Sequence, residues 1–286
     1  MTTEQPAASL YDSRFYESLR DGTERSAATV VPILIELVRP RSVVDVGCGA
    51  GLWLAAFRRN GIDDVLGIDG PWVGGEQRAI SERHFLEHDL SRPLRLDRRF
   101  DLALCLEVAE HLPTEAAAPL VESLTALSSV VIFSAAVPFQ GGDGHINERW
   151  SSYWAGFFDA RGFSCLSGLR RRIWDNDAIE VWYRQNIFCY VARDRLDDFH
   201  HLDSAESSGT HEPIDIVHPH LFLRRMNEFE RQSRFTARLE VEKTRLEADL
   251  ATARSELASI KNSKVWRIYS TARSVLKRAS RLTKQR

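Results

Sequence analysis

The residues best placed to do chemistry fall in four short stretches. The first is Asp45-Val46-Gly47-Cys48-Gly49-Ala50-Gly51, an acid followed by three glycines at alternate positions. The β-branched run Val43–Val46 reads as a buried strand, and Leu52-Trp53-Leu54-Ala55-Ala56-Phe57 then restarts as a helical pattern. Strand, glycine turn and helix start make a nucleotide-binding corner: glycines let backbone approach a ligand, and the helix start offers unbonded N–H groups. The second stretch is Val65–Gly70, whose Asp69 lies 18 residues beyond Gly51. Nucleotide folds place a carboxylate there to hold ribose hydroxyls. The third is Phe100–Leu112, a strand-like run ending in Glu107-Val108-Ala109-Glu110-His111. The fourth is the glycine-rich loop Gln140–Trp150, which carries His145 and Glu148.

Spacing separates two ligand classes at the first stretch. Dinucleotide sites want G-x-G-x-x-G, so that a pyrophosphate can sit on the helix N-terminus. Here the pattern is G-x-G-x-G, and Asp45 would repel a pyrophosphate. That acid suits a ligand carrying an amino group and a sulfonium. The stretch resembles motif I of the class I S-adenosylmethionine (SAM) methyltransferases, and Phe100–Leu112 resembles their motif IV. The resemblance implies SAM as cofactor. Asp45, Gly47, Cys48, Gly49 and Gly51 would shape its amino-acid end, with Asp69 on ribose and Glu107 at the methionine half. Asp89 would contact the adenine amino group, and Leu90 would offer backbone. The resemblance covers about residues 25–195. It extends to a narrower group of methyltransferases found with bacterial surface-glycan glycosyltransferases, through the Gly144–Glu148 loop with Trp150 and the segment Trp182-Tyr183-Arg184-Gln185-Asn186.

Methyl transfer to a sugar hydroxyl benefits from a base, because the protonated hydroxyl is a poor nucleophile. His145 is the first candidate, since a histidine in a flexible Gly-Gly-Asp-Gly turn has little packing reason to be there. Glu148 would orient its imidazole, and Trp150 and Trp154 would offer flat faces to a sugar ring. The structural alternative for His145 is a cap on the next helix. His111 reads as structural. Glu107, Glu110 and His111, with His145, could instead hold a divalent metal, resembling methyltransferases that act on RNA 3′-terminal 2′-hydroxyls. A second histidine close behind His111 is missing from that pattern, so no metal is expected. His200, His201, His211, His218 and His220 read as solvated linker histidines.

These residues need a scaffold. Strand-like and helical segments alternate through residue 195, which predicts an α/β fold with helices on both faces of a largely parallel sheet. The resemblance makes it the Rossmann-like seven-stranded methyltransferase sheet, its last strand antiparallel. Phe163–Leu169 and Ile179–Ala192 are expected to be the last two strands. The domain reading is a flexible N-terminus with a lid helix (1–24), the methyltransferase domain (25–195), a linker (196–220), a coiled coil (221–263) and a basic amphipathic tail (264–286). The lid would use Tyr11, Phe15, Tyr16 and Leu19. Leu239, Leu246, Ala253 and Ile260 recur every seven residues and predict a homo-oligomer, although Thr236 and Lys243 interrupt the partner seam. Residues 257–286 hold nine Lys or Arg and no acid, interleaved with Val265, Trp266, Ile268, Tyr269, Val275 and Leu276. Such a helix suits a membrane surface or a partner groove.

Bulk composition narrows the classes. The 286 residues are 43% hydrophobic and carry a net charge of −2, so a whole-protein nucleic-acid footprint is not expected. The four cysteines lack any C-x-x-C pair and read as buried free thiols of a reducing compartment. No signal peptide and no apolar run of ~20 residues is visible. The combined expectation is a cytoplasmic, SAM-dependent O-methyltransferase of surface-polysaccharide biosynthesis, peripheral at the inner membrane face, with a glycan or small-molecule acceptor. A metal-assisted RNA 2′-O-methyltransferase, or a non-catalytic methyltransferase-fold scaffold acting through its coiled coil, is the alternative.

Overall fold

The computed structural model describes residues 13–72, 78–202 and 214–283. Tyr11, His211 and the lid side chains Phe15, Tyr16 and Leu19 lie outside what is described. The chain divides into two compact units, Met1–Arg225 and Met226–Arg286.

The first unit is built on seven strands: β1 (Ser42–Val46), β2 (Asp64–Asp69), β3 (Phe85–Glu87), β4 (Leu102–Leu106), β5 (Val130–Ser134), β6 (Phe163–Leu166) and β7 (Phe188–Ala192). Their order across the sheet is β3-β2-β1-β4-β5-β7-β6. The first five pair in parallel, and β7 runs antiparallel between β5 and β6. The strands are apolar at successive positions because both faces are covered. Val43, Leu104 and Ile132 enter one core layer, while their neighbours Val44, Cys105 and Phe133 enter the other. Helices α1 (Ser13–Val38) and α2 (Leu52–Arg59) cover the first face, and α3 (Ala117–Leu127) and α4 (Ser151–Ala160) cover the second. Phe158 of α4 stacks on Tyr190 at 3.8 Å between centroids, tying α4 to β7. Strand order reverses between β1 and β4. In open α/β sheets the ligand crevice lies at such a reversal, at the carboxyl ends of the strands.

Two segments depart from expectation. The helix expected from Ala27 is continuous from Ser13, so one 26-residue helix joins the segments read as lid and domain. Residues 179–187 are not strand. A short helix α5 (Gly168–Ile173) follows β6, and α6 (Val181–Asn186) precedes β7. Arg184, Gln185 and Asn186 are buried polar residues, and as a helical turn they reach partners on separate parts of the fold: Asp177, the His218 N–H, and Glu107 with Gln140. The α6 entry is fixed by α1: Ser26 Oγ accepts the Glu180 N–H at 3.0 Å, and Arg25 pairs with Glu180 at 2.9 Å.

The region read as a linker is partly structured. Phe199 is buried in the first core layer, and Asp215 accepts the Ser152 N–H at 2.9 Å. His218 is not solvated; it is 3% exposed, donates its N–H to Gln185 Oε1 at 2.7 Å and meets Trp174 O through Nε2 at 2.9 Å. Helix α7 (Pro219–Asn262) begins within this unit, where Leu221 is buried with Val137 and Val181.

In the second unit α7 is followed by α8 (Lys264–Thr283). Ser263 makes the joint, its Oγ capping the Trp266 N–H at 3.2 Å. Leu239, Leu246, Leu250, Leu257 and Ile260 of α7 are all exposed, as are Val265, Ile268, Tyr269, Val275 and Leu276 of α8. A long helix with exposed heptad residues is present; its pairing in a coiled coil is not shown. No helix of the described residues is long and apolar enough to cross a membrane.

Candidate active site

The corner at the end of β1 is shaped by packing as well as by backbone freedom. Gly47 has φ +83° and Gly51 φ +74°, a region costly for side chains. A Cβ at Gly47 would collide with Val108, and one at Gly51 would collide with Ile80. The glycine turn thereby sits directly against the end of β4. Asp69 closes the corner: Oδ2 accepts the Gly49 N–H and Oδ1 the Gly70 N–H, both at 2.7 Å. Its carboxylate therefore braces the turn in this structure. Burial raises its pKa, and those two amides oppose the rise.

Asp45 is 2% exposed, and its Oδ2 has no hydrogen-bond partner among the described residues. Burial, with the charge of Asp69, pushes its pKa up to about 7. A buried carboxylate with an orphaned oxygen beside a second carboxylate is a place prepared for a cation. The amino group and sulfonium of SAM would meet such a demand.

Glu107, at the end of β4, adopts φ +55°, a strained value for a residue with a side chain. Its N–H is held by Ser134 Oγ and Ser134 O, each at 3.0 Å. Its carboxylate accepts Gln140 Nε2 at 2.9 Å and Asn186 Nδ2 at 3.1 Å. Asn186 also donates to Gln140 Oε1 at 2.8 Å, so the three side chains close a ring. Burial raises the Glu107 pKa against these donors. Ser134, Gln140 and Asn186 were missed as site residues. Gln140 opens the glycine-rich loop and Asn186 ends the Trp182–Asn186 segment of the resemblance, but nothing local gives either a partner, and nothing marks Ser134.

At the rim, His145 and Glu148 do come together: Nδ1 lies 2.9 Å from Glu148 Oε1. Glu148 is itself pinned by the Gly141 N–H at 2.7 Å and the Phe139 N–H at 2.8 Å. Such a carboxylate fixes both tautomer and ring plane. The imidazole is thus oriented by the loop, and it makes no bond that would cap α4; Trp150 occupies that cap position. His111 stands edge-on to His145, with ring centroids 4.7 Å apart. Burial first, and then His145, lowers the His111 pKa to about 4, against a bond to the Gly144 backbone.

Other expected residues are not brought in. Trp154 is 1% exposed and packs against Phe133 and Tyr153 in the second core layer, so it offers no face to a sugar. It falls on the inward stripe of α4, whereas Trp150, one helical turn earlier, remains 42% exposed. The Cys48 thiol turns into the core beside Leu54 and Ile80, leaving only backbone at the corner. Asp89 turns its carboxylate to the Ser91 hydroxyl at 2.6 Å and to Arg92. The His88 N–H does bond Asp69 O at 2.8 Å, which keeps this turn alongside the end of β2.

The sequence model of the methyltransferase-domain family matches residues 11–168, more than half of the chain. The chain belongs to this family. Among curated proteins it is similar to the ubiquinone biosynthesis O-methyltransferase of Pseudomonas fluorescens strain SBW25, 34% identical over 83 residues, 26% of this chain and 34% of that one. The enzyme of the same name from Psychrobacter arcticus is 34% identical over 89 residues, 27% of this chain and 33% of that one. The chain therefore spans about a third of the length of these relatives. Similar solved structures include Streptomyces venezuelae DesVI, with a TM-score of 0.46 and 17% identity over 63% of this chain and 97% of that one. SAM-bound CalS10, an amino pentose methyltransferase from Micromonospora echinaspora, has a TM-score of 0.44 and 16% identity over 62% of this chain and 96% of that one.

Proposed function

We propose that the protein transfers a methyl group from SAM to a hydroxyl oxygen, on a glycan or glycan-linked intermediate presented at a membrane surface. The observation that carries this reading is the His145–Glu148 couple, oriented by the loop at the rim where the cofactor corner and the β4 end meet. SAM supplies a methyl already activated on a sulfonium, so the chain's task is alignment and removal of the acceptor proton. Alignment of this kind is worth roughly 7–11 kcal/mol. Asp45 answers the cationic end of the cofactor, Asp69 and the glycines hold the turn, and Asp69 has the position to take ribose hydroxyls on binding. His145 accepts the acceptor proton, and Trp150 offers its exposed ring to the acceptor. The curated relatives named above are O-methyltransferases, which favours oxygen as the atom modified. The basic, apolar-striped α8 favours an acceptor at an anionic lipid surface on the cytoplasmic side.

The test is transfer of radiolabelled methyl from SAM into fractionated cell material. Label in glycan or lipid-linked glycan supports the reading, and His145→Ala should then cut the rate ~100-fold or more. Label confined to RNA or protein overturns the acceptor class. No label together with no binding of S-adenosylhomocysteine leaves the chain a scaffold.

A further inference from the structure

The sequence led to the expectation that no metal is bound, yet the fold converges a donor set that the sequence leaves scattered. Glu110, His111 and His145 each offer a ligand atom, and those atoms lie within 4.8 Å of one another. Donors around a first-row divalent ion at ~2.0–2.2 Å stand roughly 3–4 Å apart, so closure needs only side-chain adjustment. Glu110 is fully buried, and its carboxyl faces the Glu107 carboxyl and the backbone of Ala136. Two carboxyl groups buried side by side favour a cation against them. Both rings are also held by a further partner, as the rings of metal ligands usually are. His145 Nδ1 is bonded to Glu148, which two backbone amides pin, and the His111 ring is held by the Gly144 backbone. The backbone around Glu110 is fixed too, since its carbonyl accepts the N–H groups of both Ile146 and Asn147, at 2.9 and 3.0 Å. The loop bearing His145 is thereby stapled to the turn bearing Glu110 and His111.

We propose that Glu110, His111 and His145 bind a divalent cation at the rim of the cofactor corner. Two imidazoles and one carboxylate favour Mn²⁺, Fe²⁺, Co²⁺ or Zn²⁺ over Mg²⁺ or Ca²⁺. Three protein ligands leave positions open for an acceptor oxygen. A hydroxyl held there loses its proton to water more readily than a free one. The proposal rests on reading the rim as the acceptor site and alters one part of it: His145 becomes a ligand, and the acceptor proton leaves to solvent.

The experiment uses the full chain, freed of metal by chelation and titrated with Co²⁺, with visible absorption and calorimetry as readouts. One equivalent should bind with the absorption of an imidazole-ligated ion. His111→Ala, which spares the His145–Glu148 couple, and Glu110→Gln, which keeps shape, should each weaken binding at least ~10-fold, and Glu148→Gln should weaken it by ~10–100-fold. Circular dichroism and S-adenosylhomocysteine binding, measured on the same variants, report folding and the cofactor corner. No Co²⁺ binding, or binding indifferent to both His111→Ala and Glu110→Gln, overturns the proposal while leaving the methyltransferase reading intact. Loss of S-adenosylhomocysteine binding by the unaltered chain would instead remove that reading, whatever the cation does.

Discussion

Asp45 couples the cofactor corner to pH. Its folded pKa of about 7 lies above the ordinary 3.8, so between those values the folded chain holds a proton that the unfolded chain has released. Stability should fall as pH rises from about 4 to about 7 and level off above, by up to roughly 4 kcal/mol from this one group. Thermal melts across that window should show the slope, and Asp45→Asn should flatten it. A ligand ammonium group favours the ionised form, so S-adenosylhomocysteine, which keeps that group though it lacks the sulfonium, should bind more tightly at pH 8 than at pH 6, with the difference reduced in Asp45→Asn. Equal affinities at both pH values would separate Asp45 from the ligand. Gly47→Ala tests the cradle: a positive φ costs a side chain about 1–3 kcal/mol and Val108 blocks the Cβ, so calorimetry should show cofactor affinity lowered at least ~10-fold. At this scale the sequence was readable where spacing alone decides geometry. The three-residue step from His145 to Glu148 put the two side chains together, and the glycine turn needed no tertiary knowledge. Trp154 was misread because an aromatic helix side, here Tyr153, Trp154, Phe157 and Phe158, does not itself say whether it meets the core or a ligand.

Among the elements, the strands were plain in the sequence because both sheet faces are buried, which leaves short continuous apolar runs such as Val130–Ser134. Helix α6 was not, because its polar residues face partners far away in the chain: Glu107, Gln140 and His218. No local pattern records those partners. Asn186→Leu should therefore behave as a site mutation as much as a core one. It strips the Glu107 carboxylate of a donor, at a cost of about 1–3 kcal/mol visible as a lowered Tm, and should weaken S-adenosylhomocysteine binding in parallel. Helix α8 makes its own prediction. Vesicles with an anionic headgroup should co-sediment the full chain, neutral vesicles should not, and Ile268→Asp with Leu276→Asp should abolish the difference while sparing cofactor binding. Co-sedimentation unaffected by that double change would send the anchor role elsewhere.

For the molecule as a whole, the exposed heptad residues of α7 lead to the expectation of self-association. Sedimentation of the full chain should give a species heavier than 32.5 kDa, and removal of residues 226–286 should give a monomer that still binds S-adenosylhomocysteine. The limit of the first unit at Arg225, rather than at 195, was hidden because Phe199, Asp215 and His218 anchor a stretch whose composition is that of a loop. One feature of the sheet reaches beyond the folded state. The antiparallel β7 lies between β5 and β6, although it is made after both. On a ribosome, the five parallel strands can pair as they emerge, but the edge of β5 stays open and β6 has no neighbour until residue 192 has cleared the exit tunnel. Synthesis therefore passes through a stage with an unpaired strand edge, which is the template for wrong partners. Chains stalled or truncated before β7 should aggregate, and those stalled after it should be soluble.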